Sequence, residues 1–466
     1  MTRITHICFI VFLFVFSFSI PSNAQSNDIL EEVRENIKNH YYKTVDDHIL
    51  NLSSLEEILS NLDPYSTYFS PETNSSFQNS INNKYIGIGI ALSHEHNKYI
   101  IEHVYPSSPA DLVGIEEGDQ ILQVDGVSIV ELSTEEVLHR LKGEVNTEIS
   151  LTIKRLDQTK RFLCMREYIT LPTVTFKKLG ENVGYLSISS FSQSMVSELD
   201  YWINQFPDTD DWIIDLRNNP GGYVSAALKM IGMFPNVEDA IIVENQYGRD
   251  MIHPLYQNSK FKNRVALLTN SFSASASEIV TAAVKNTKNV QIYGGQTYGK
   301  GLMQSIIPLS NSGSLKLSTY QFYTPTGEEI HKKGIAPNIQ TLLPLKDAHH
   351  DLIHARYPSY KRIASLTSIS TTSLFSVSFS QLVDVTSFQH SMVTLETLGG
   401  KNVSVILYGN NQNLFVQPME ELIPNERYVL ILHPGWHSSD GKASTVGTIL
   451  DIQVSNNETI NPVDIE

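Results

Sequence analysis

At 466 residues the chain is long enough for several domains, and its 41 % hydrophobic content supports a buried core in each. The formal net charge of −16 excludes a nucleic-acid backbone as the main partner, because phosphate binding needs a basic face. With only Cys8 and Cys164, disulfides cannot be what holds the fold together.

The first 24 residues carry one arginine and one histidine, an apolar run from Ile7 to Ile20, and then Pro21-Ser22-Asn23-Ala24, with small residues three and one before a cut after Ala24. That layout predicts a signal peptide over 1–24 and export across the cytoplasmic membrane, to a periplasm, envelope or medium. An uncleaved anchor is the alternative, although 14 apolar residues are short for a span. Cys8 leaves with the leader, and Cys164, in an alternating segment, reads as a small buried residue.

From 25 to 81 the apolar residues Ile29, Leu30, Val33, Ile37 and then Leu55, Ile58, Leu59, Leu62 recur at three and four. This predicts an amino-terminal helical arm ended by Asp63-Pro64. Such stripes either pair with a second copy, giving a homodimer through these helices, or pack on the chain's own body.

Between 82 and 165 the pattern changes to short strands around one helix. The run Tyr85-Ile86-Gly87-Ile88-Gly89-Ile90 has glycines that leave amides open to a carboxylate. With Ser107 to Ala110, Gly114 to Gly126 and a Ser133 to Glu136 capping box ahead of Val137, Leu138 and Leu141, the segment resembles a PDZ domain. The resemblance implies capture of a free C-terminal tail along a strand edge, with Ile86, Gly87, Ile88, Gly89 and Val137 as peptide-binding residues.

Residues 166–345 read as an α/β core. Val183 to Ile188, Trp212 to Leu216 and Val265 to Leu268 are buried-strand runs, and Tyr223 to Phe234 alternates helically. A linker is predicted over 346–373, where Ser365 to Ser373 is almost all serine and threonine. Alternating segments over 374–466 predict a β-sandwich resembling bacterial Ig-like modules, which bind or space and would meet a partner at the cell surface.

Two stretches carry the chemistry. Ser273 to Glu278 places three serines at the start of a helix, and Gly299-Lys300-Gly301 sets a lysine in a glycine-flanked turn. A serine hydroxyl attacks well only when a base takes its proton, and a lysine serves only when neutral, which burial away from carboxylates promotes. No carboxylate lies within three residues of Lys300, and Gln304, four residues on, offers a neutral amide. Amides of Ala276 at the helix start and of Gly221 in the Pro220-Gly221-Gly222 turn are candidate oxyanion donors. Ser275 through Glu278 is equally a capping box, so spacing alone leaves Ser275 between nucleophile and cap. Gly294 to Gly301 nearly matches a phosphate-binding loop, but Gly301 replaces the magnesium-holding hydroxyl and Pro308 breaks any following helix. His350 and His354 sit one helical turn apart, but with no third ligand evident they read as surface histidines.

Leu62 to Ser66, the PDZ segment, Asp215 to Gly222, Ser273 to Glu278, Tyr298 to Gly301 with Gln304, and Gly334 to Ile339 follow in an order that resembles the C-terminal processing (tail-specific) serine proteases. The resemblance covers roughly Leu62 to Ile339, within a chain read as multidomain α/β: amino-terminal helical arm, PDZ domain, α/β serine-protease core and C-terminal β-sandwich. It assigns Ser275 as nucleophile, Lys300 as general base and Gln304 as its support, which decides between the two readings of Ser275. It implies protein or peptide substrates with free C-terminal tails and no metal or organic cofactor. Two positions depart from the family pattern: the 142–147 turn lacks the usual arginine and second glycine, and Asn338 stands where aspartate is common. The rival reading is an inactive secreted PDZ/Ig-like binding protein.

Overall fold

The computed structural model describes residues 22–95, 97–455 and 463–465. Most of the predicted leader lies outside them, and residues 22–24 open the helix Ser22–His40. Among the described residues no helix is long and apolar enough to cross a membrane.

The chain forms two compact units. The first takes the amino-terminal segment through Ser75 together with 245–248 and 303–320. Val33 and Ile37 on the first helix, and Ile58 on the helix Leu55–Ser60, are fully buried within the chain. The apolar stripe is therefore already covered, and the dimer read from it loses its basis. Asp63 is the hub of this unit: its carboxylate accepts the Ser66 hydroxyl at 2.7 Å and the Ser318 hydroxyl at 3.1 Å, and Thr67–Phe69 pairs antiparallel with residues 314–316.

The second unit holds the remainder. Its centre is a six-stranded sheet in the order Val174–Lys178, Val183–Ile188, Asp211–Asp215, Val265–Thr269, Val290–Gly294, Ile339–Gln340, antiparallel at the first pair and parallel after it. Strands 211–215 and 265–269 are buried at every position, as continuous apolar runs require in a sheet covered on both faces. Because strands 211–215, 265–269 and 290–294 are parallel neighbours, the loops 216–222, 270–275 and 295–301 leave one edge of the sheet side by side. That is where such sheets hold ligands.

The PDZ segment is a sheet in the order Ile90–Glu95, Lys98–Val104, Gln120–Val124, Glu148–Arg155, Gln158–Met165, with the helix Thr134–Leu141. Strand 90–95 is at the edge of that sheet. Arg155 braces the 114–119 loop through Asp119 at 2.7 Å and Glu116 at 2.6 Å. Cys164 is buried in this core, and burial pushes its thiol up to about 11, so it is inert. Lys84–Gly87 and Glu167–Thr170 form a separate two-stranded antiparallel ribbon.

The expected linker over 346–373 is corrected. The helix Pro344–Arg356 packs Ala348 and Leu352 against Ile213, Ala266 and Leu268 of the core sheet, while its Ile353 packs with Val429, Ile431 and Ile449 of the C-terminal sheet. The serine- and threonine-rich run supplies the strand Leu366–Ile369, which pairs parallel to Thr448–Val454. Composition misleads here because hydroxyl residues with intervening Leu and Ile suit a half-exposed edge strand as well as they suit a loop. Beyond it, a sheet containing Thr448–Val454, Arg427–Leu432 and Val393–Thr397 faces one containing Val405–Gly409, Asn413–Pro418 and Phe375–Ser378 across a shared core that includes Leu395, Leu430, Phe375 and Val416.

His349, which local sequence does not single out, ties these parts together. It is fully buried, with Nε2 donating to the Gly180 carbonyl at 3.0 Å and Nδ1 accepting the Gly399 amide at 2.9 Å. Burial pushes its pKa down to about 4. An unfolded histidine titrates near 6.5, so the unfolded chain binds this proton first. The stabilisation is whole above about pH 6.5 and falls by up to about 3 kcal/mol as pH drops through 4. Thermal melts at pH 7 and 5 are expected to show a larger drop for wild type than for His349→Gln, which cannot titrate; equal drops would refute the assignment.

Candidate active site

The loop after Asp215 is locked by its own residues. Asp215, buried at the strand end, accepts from Arg217 Nε at 2.9 Å and from Tyr185 Oη at 2.7 Å. Asn219 has no exposed surface and acts as a bracket. Its Nδ2 donates to the Ile188 carbonyl at 2.8 Å, its Oδ1 accepts the Gly221 amide at 2.9 Å, and its carbonyl accepts the Ala274 amide at 3.0 Å. The Pro-Gly-Gly turn is thereby fixed to the serine segment. Gly221 has φ +107°, and a Cβ there would stand 2.9 Å from that of Ser275, so only glycine fits.

The three serines separate by environment. Ser273 and Ser277 are fully buried, and their hydroxyls donate to the Leu216 and Asn219 carbonyls at 2.8 and 2.9 Å. Ser275 is half-buried. Its backbone has φ 56° and ψ −112°, a region costly for a residue with a side chain. Capping does not require this. Ser54, Ser108 and Ser133 cap helices of the same chain from the extended region and accept the third amide with their hydroxyls. At Ser275 the Glu278 amide instead donates to the carbonyl oxygen at 2.8 Å. Strain at one half-buried serine between two fully buried ones marks a position held for function.

Glu278 joins the serine to the lysine. Its Oε2 accepts the Ser275 amide at 3.0 Å and the Lys300 amide at 2.8 Å; its Oε1 accepts the Gly299 amide at 2.7 Å and the Thr297 hydroxyl at 2.6 Å. The side chain has no exposed surface, and burial raises its pKa against the pull of these four donors. All four partners donate, which suits the ionised, acceptor-only carboxylate. No carboxylate lies within three residues of Lys300 in sequence, but Glu278, 22 residues away, meets its backbone amide.

Lys300 itself is half-buried. The flanking glycines serve the close packing expected of them: a Cβ on Gly301 would come 2.5 Å from the His331 amide nitrogen, and one on Gly299, at φ +91°, 3.0 Å from that of Gly334. The chain continues as the strand Leu302–Pro308, not as the helix a phosphate-binding loop needs. Asn338, where the family pattern has aspartate, accepts the Ile292 amide on Oδ1 at 2.9 Å, which a carboxylate oxygen would do equally well.

The other predicted residues fall as follows. Ala276 begins the helix Ala276–Val284, so its amide is among those without an intrahelical partner. The Gly221 amide, read from sequence as an oxyanion donor, is corrected, since Asn219 Oδ1 holds it. Gln304 belongs to the first unit, where its Nε2 donates to Ser318 Oγ at 3.4 Å. In the PDZ domain, Val137 and Ile88 lie in the core with almost no surface to offer a peptide, and Ile86 and Gly87 already pair with Tyr168 and Glu167. Gly89, at φ +81°, packs so closely on Ser108 that a Cβ would come 2.2 Å from the serine's own. The strand that follows it lies at the edge of the sheet, and Leu138 on the helix is exposed. The departure at 142–147 is filled from elsewhere: Arg166, buried, donates to the carbonyls of Leu141, Arg140 and Glu148.

A strained helix-start serine and a lysine turn thus stand on a parallel sheet. Residues 182–341 match Peptidase family S41 and residues 75–154 match the PDZ domain. Residues 182–341 are thus an S41 peptidase segment, preceded in the chain by a PDZ segment. A "Probable CtpA-like serine protease" of Staphylococcus aureus (strain COL) is 32 % identical over 323 residues, 68 % of this chain and 65 % of the relative. One of the same description from Staphylococcus epidermidis is 32 % identical over 322 residues, again 68 % and 65 %. The chain thus spans about 65 % of the length of these curated relatives. Among solved structures, a photosystem II D1 C-terminal processing protease aligns with TM-score 0.44 and 20 % identity, over 69 % of this chain and 94 % of that one.

Proposed function

We propose that the chain is an exported serine endopeptidase that hydrolyses peptide bonds near the C-terminal tails of protein substrates with a Ser275–Lys300 dyad. One observation carries this reading: of the alternating serines 273, 275 and 277 only Ser275 is accessible, and it alone is strained, at a backbone position tied through Glu278 to Lys300. Neutral Lys300 takes the proton as Ser275 Oγ attacks the carbonyl carbon, and returns it to the departing amine. The Ala276 amide faces the developing oxyanion. Water then releases the acyl group, with the lysine again as base. Gln304 keeps the supporting role that the family pattern gives it.

The PDZ edge strand 90–95 adds the substrate tail as a further strand, and the loop before it takes the carboxylate. We read the C-terminal sandwich as an Ig-like binding or spacing module that meets a cell-surface partner. Export follows from the leader-like first 24 residues.

The test is cleavage of an unfolded protein with a free apolar C-terminus beside the same protein with an amidated one. The free form is expected to be cut at least about tenfold more efficiently, since an amidated tail forfeits a charge-assisted contact. In Gly89→Ala, strained at the carboxylate loop, that preference is expected to shrink while cleavage of the amidated form persists. Equal rates for both substrates would remove tail recognition, and a protein that binds the tail without cutting would be an inactive PDZ/Ig-like binding protein.

A further inference from the structure

The helix Pro344–Arg356 carries His350 and His354 four residues apart, on one face, with ring centroids 4.1 Å apart. From sequence this pair has no third ligand and reads as surface. The structure supplies one. Asp451, on the strand Thr448–Val454, brings Oδ1 to 2.8 Å from His354 Nε2 and 3.2 Å from His350 Nε2. His354 is buried rather than exposed. The three donor atoms lie within 4.8 Å of one another. Donors at zinc distances in a tetrahedron are about 3.3 Å apart, so little adjustment brings all three onto one ion.

The surroundings suit a metal site. The Nδ1 of His350 meets Asp351 Oδ1 at 3.0 Å, and the other oxygen of Asp351 accepts the Tyr293 hydroxyl at 2.9 Å. A carboxylate behind an imidazole fixes the ring and strengthens it as a ligand. A cavity of about 190 Å³, lined in part by His350, Asp451, Ser365, Thr367 and Gln453, leaves room for a water as fourth ligand. Arg427 also borders it, but its guanidinium is held by Asp347 at 2.5 Å.

We infer that His350, His354 and Asp451 bind a divalent transition-metal ion of the zinc class, and that this ion clamps the C-terminal sandwich to the α/β core. The helix supplying the histidines packs on the core sheet through Ala348 and Leu352, whereas Asp451 belongs to the sandwich. The site is remote in sequence from Ser275 and Lys300 and stands whether or not the dyad reading holds. Two imidazoles and one carboxylate suit zinc better than magnesium or calcium, which prefer oxygen.

The test uses the untagged full chain, stripped with a chelator and titrated with Zn²⁺ by calorimetry, with thermal melts alongside. One ion per chain and a raised melting temperature are expected, with no response to Mg²⁺. In His354→Gln and Asp451→Asn, affinity is expected to fall at least about tenfold. Cobalt is expected to give the visible absorption of a tetrahedral site in wild type and to lose it in both variants. Should either variant fail to fold, as judged by its metal-free melt, His350→Gln is read in its place. Absence of binding, or equal affinity in wild type and folded variants, would overturn the site and leave a hydrogen-bonded triad.

Discussion

Alanine at Ser275 is expected to reduce kcat/KM at least about 10⁴-fold, with the melting temperature close to that of wild type or above it. Removing the nucleophile ends covalent catalysis, and removing a side chain from a strained position costs the fold little. The neighbouring serines are expected to behave in the opposite way. Ser273→Ala and Ser277→Ala each remove a buried hydrogen bond to a carbonyl that keeps a backbone amide partner, and are expected to cost about 0.5–1.5 kcal/mol of stability, while the folded protein retains a nucleophile. Kinetics and melts of the three variants check this together. If Ser273→Ala or Ser277→Ala were the inactive, stable one, the nucleophile would be misassigned.

Glu278 gives the second large effect. Glu278→Ala leaves three amides and the Thr297 hydroxyl without their acceptor and opens a cavity beside them. A loss of about 3–5 kcal/mol is expected, on the scale of breaking a buried charged network, together with near-complete loss of activity. Glu278→Gln separates the two consequences. It fills the same volume but turns an NH₂ toward donors, so stability is expected to fall less than in the alanine variant, while the 295–301 loop loses its register with Ser275. The readout is kcat against KM. A positioning role predicts that kcat falls and KM changes little, whereas a residue that only supports the fold would leave kcat per folded molecule unchanged.

These expectations show where sequence reading succeeds and where it stops. The serine run, the lysine turn and the PDZ glycines are legible because each is a short contiguous pattern whose chemistry is local. The parallel core was legible from continuous apolar runs. The bracket formed by Asn219 was not. Its partners Ala274 and Ser277 lie more than fifty residues on, and only the parallel pairing of strands 211–215 and 265–269 brings them together. Glu278 was visible only as a helix cap, because nothing local says that residues 297–300 return to meet its carboxylate. Gly221 was assigned a free amide although the oxygen that occupies it is local, on a side chain two residues earlier, because the sequence pattern does not show which way that side chain turns. In the carboxyl-terminal third, hydroxyl-rich composition hid a strand, and a histidine pair awaited an aspartate 97 residues away from His354.

The central claim is that Ser275 and Lys300 act as one unit. The most direct test is a kinetic double-mutant cycle: kcat/KM on one unfolded protein substrate for wild type, Ser275→Ala, Lys300→Ala and the double variant. A shared proton transfer predicts that each single substitution costs nearly as much as both together. Losses that multiply in the double variant, or activity that survives Lys300→Ala, would contradict the dyad.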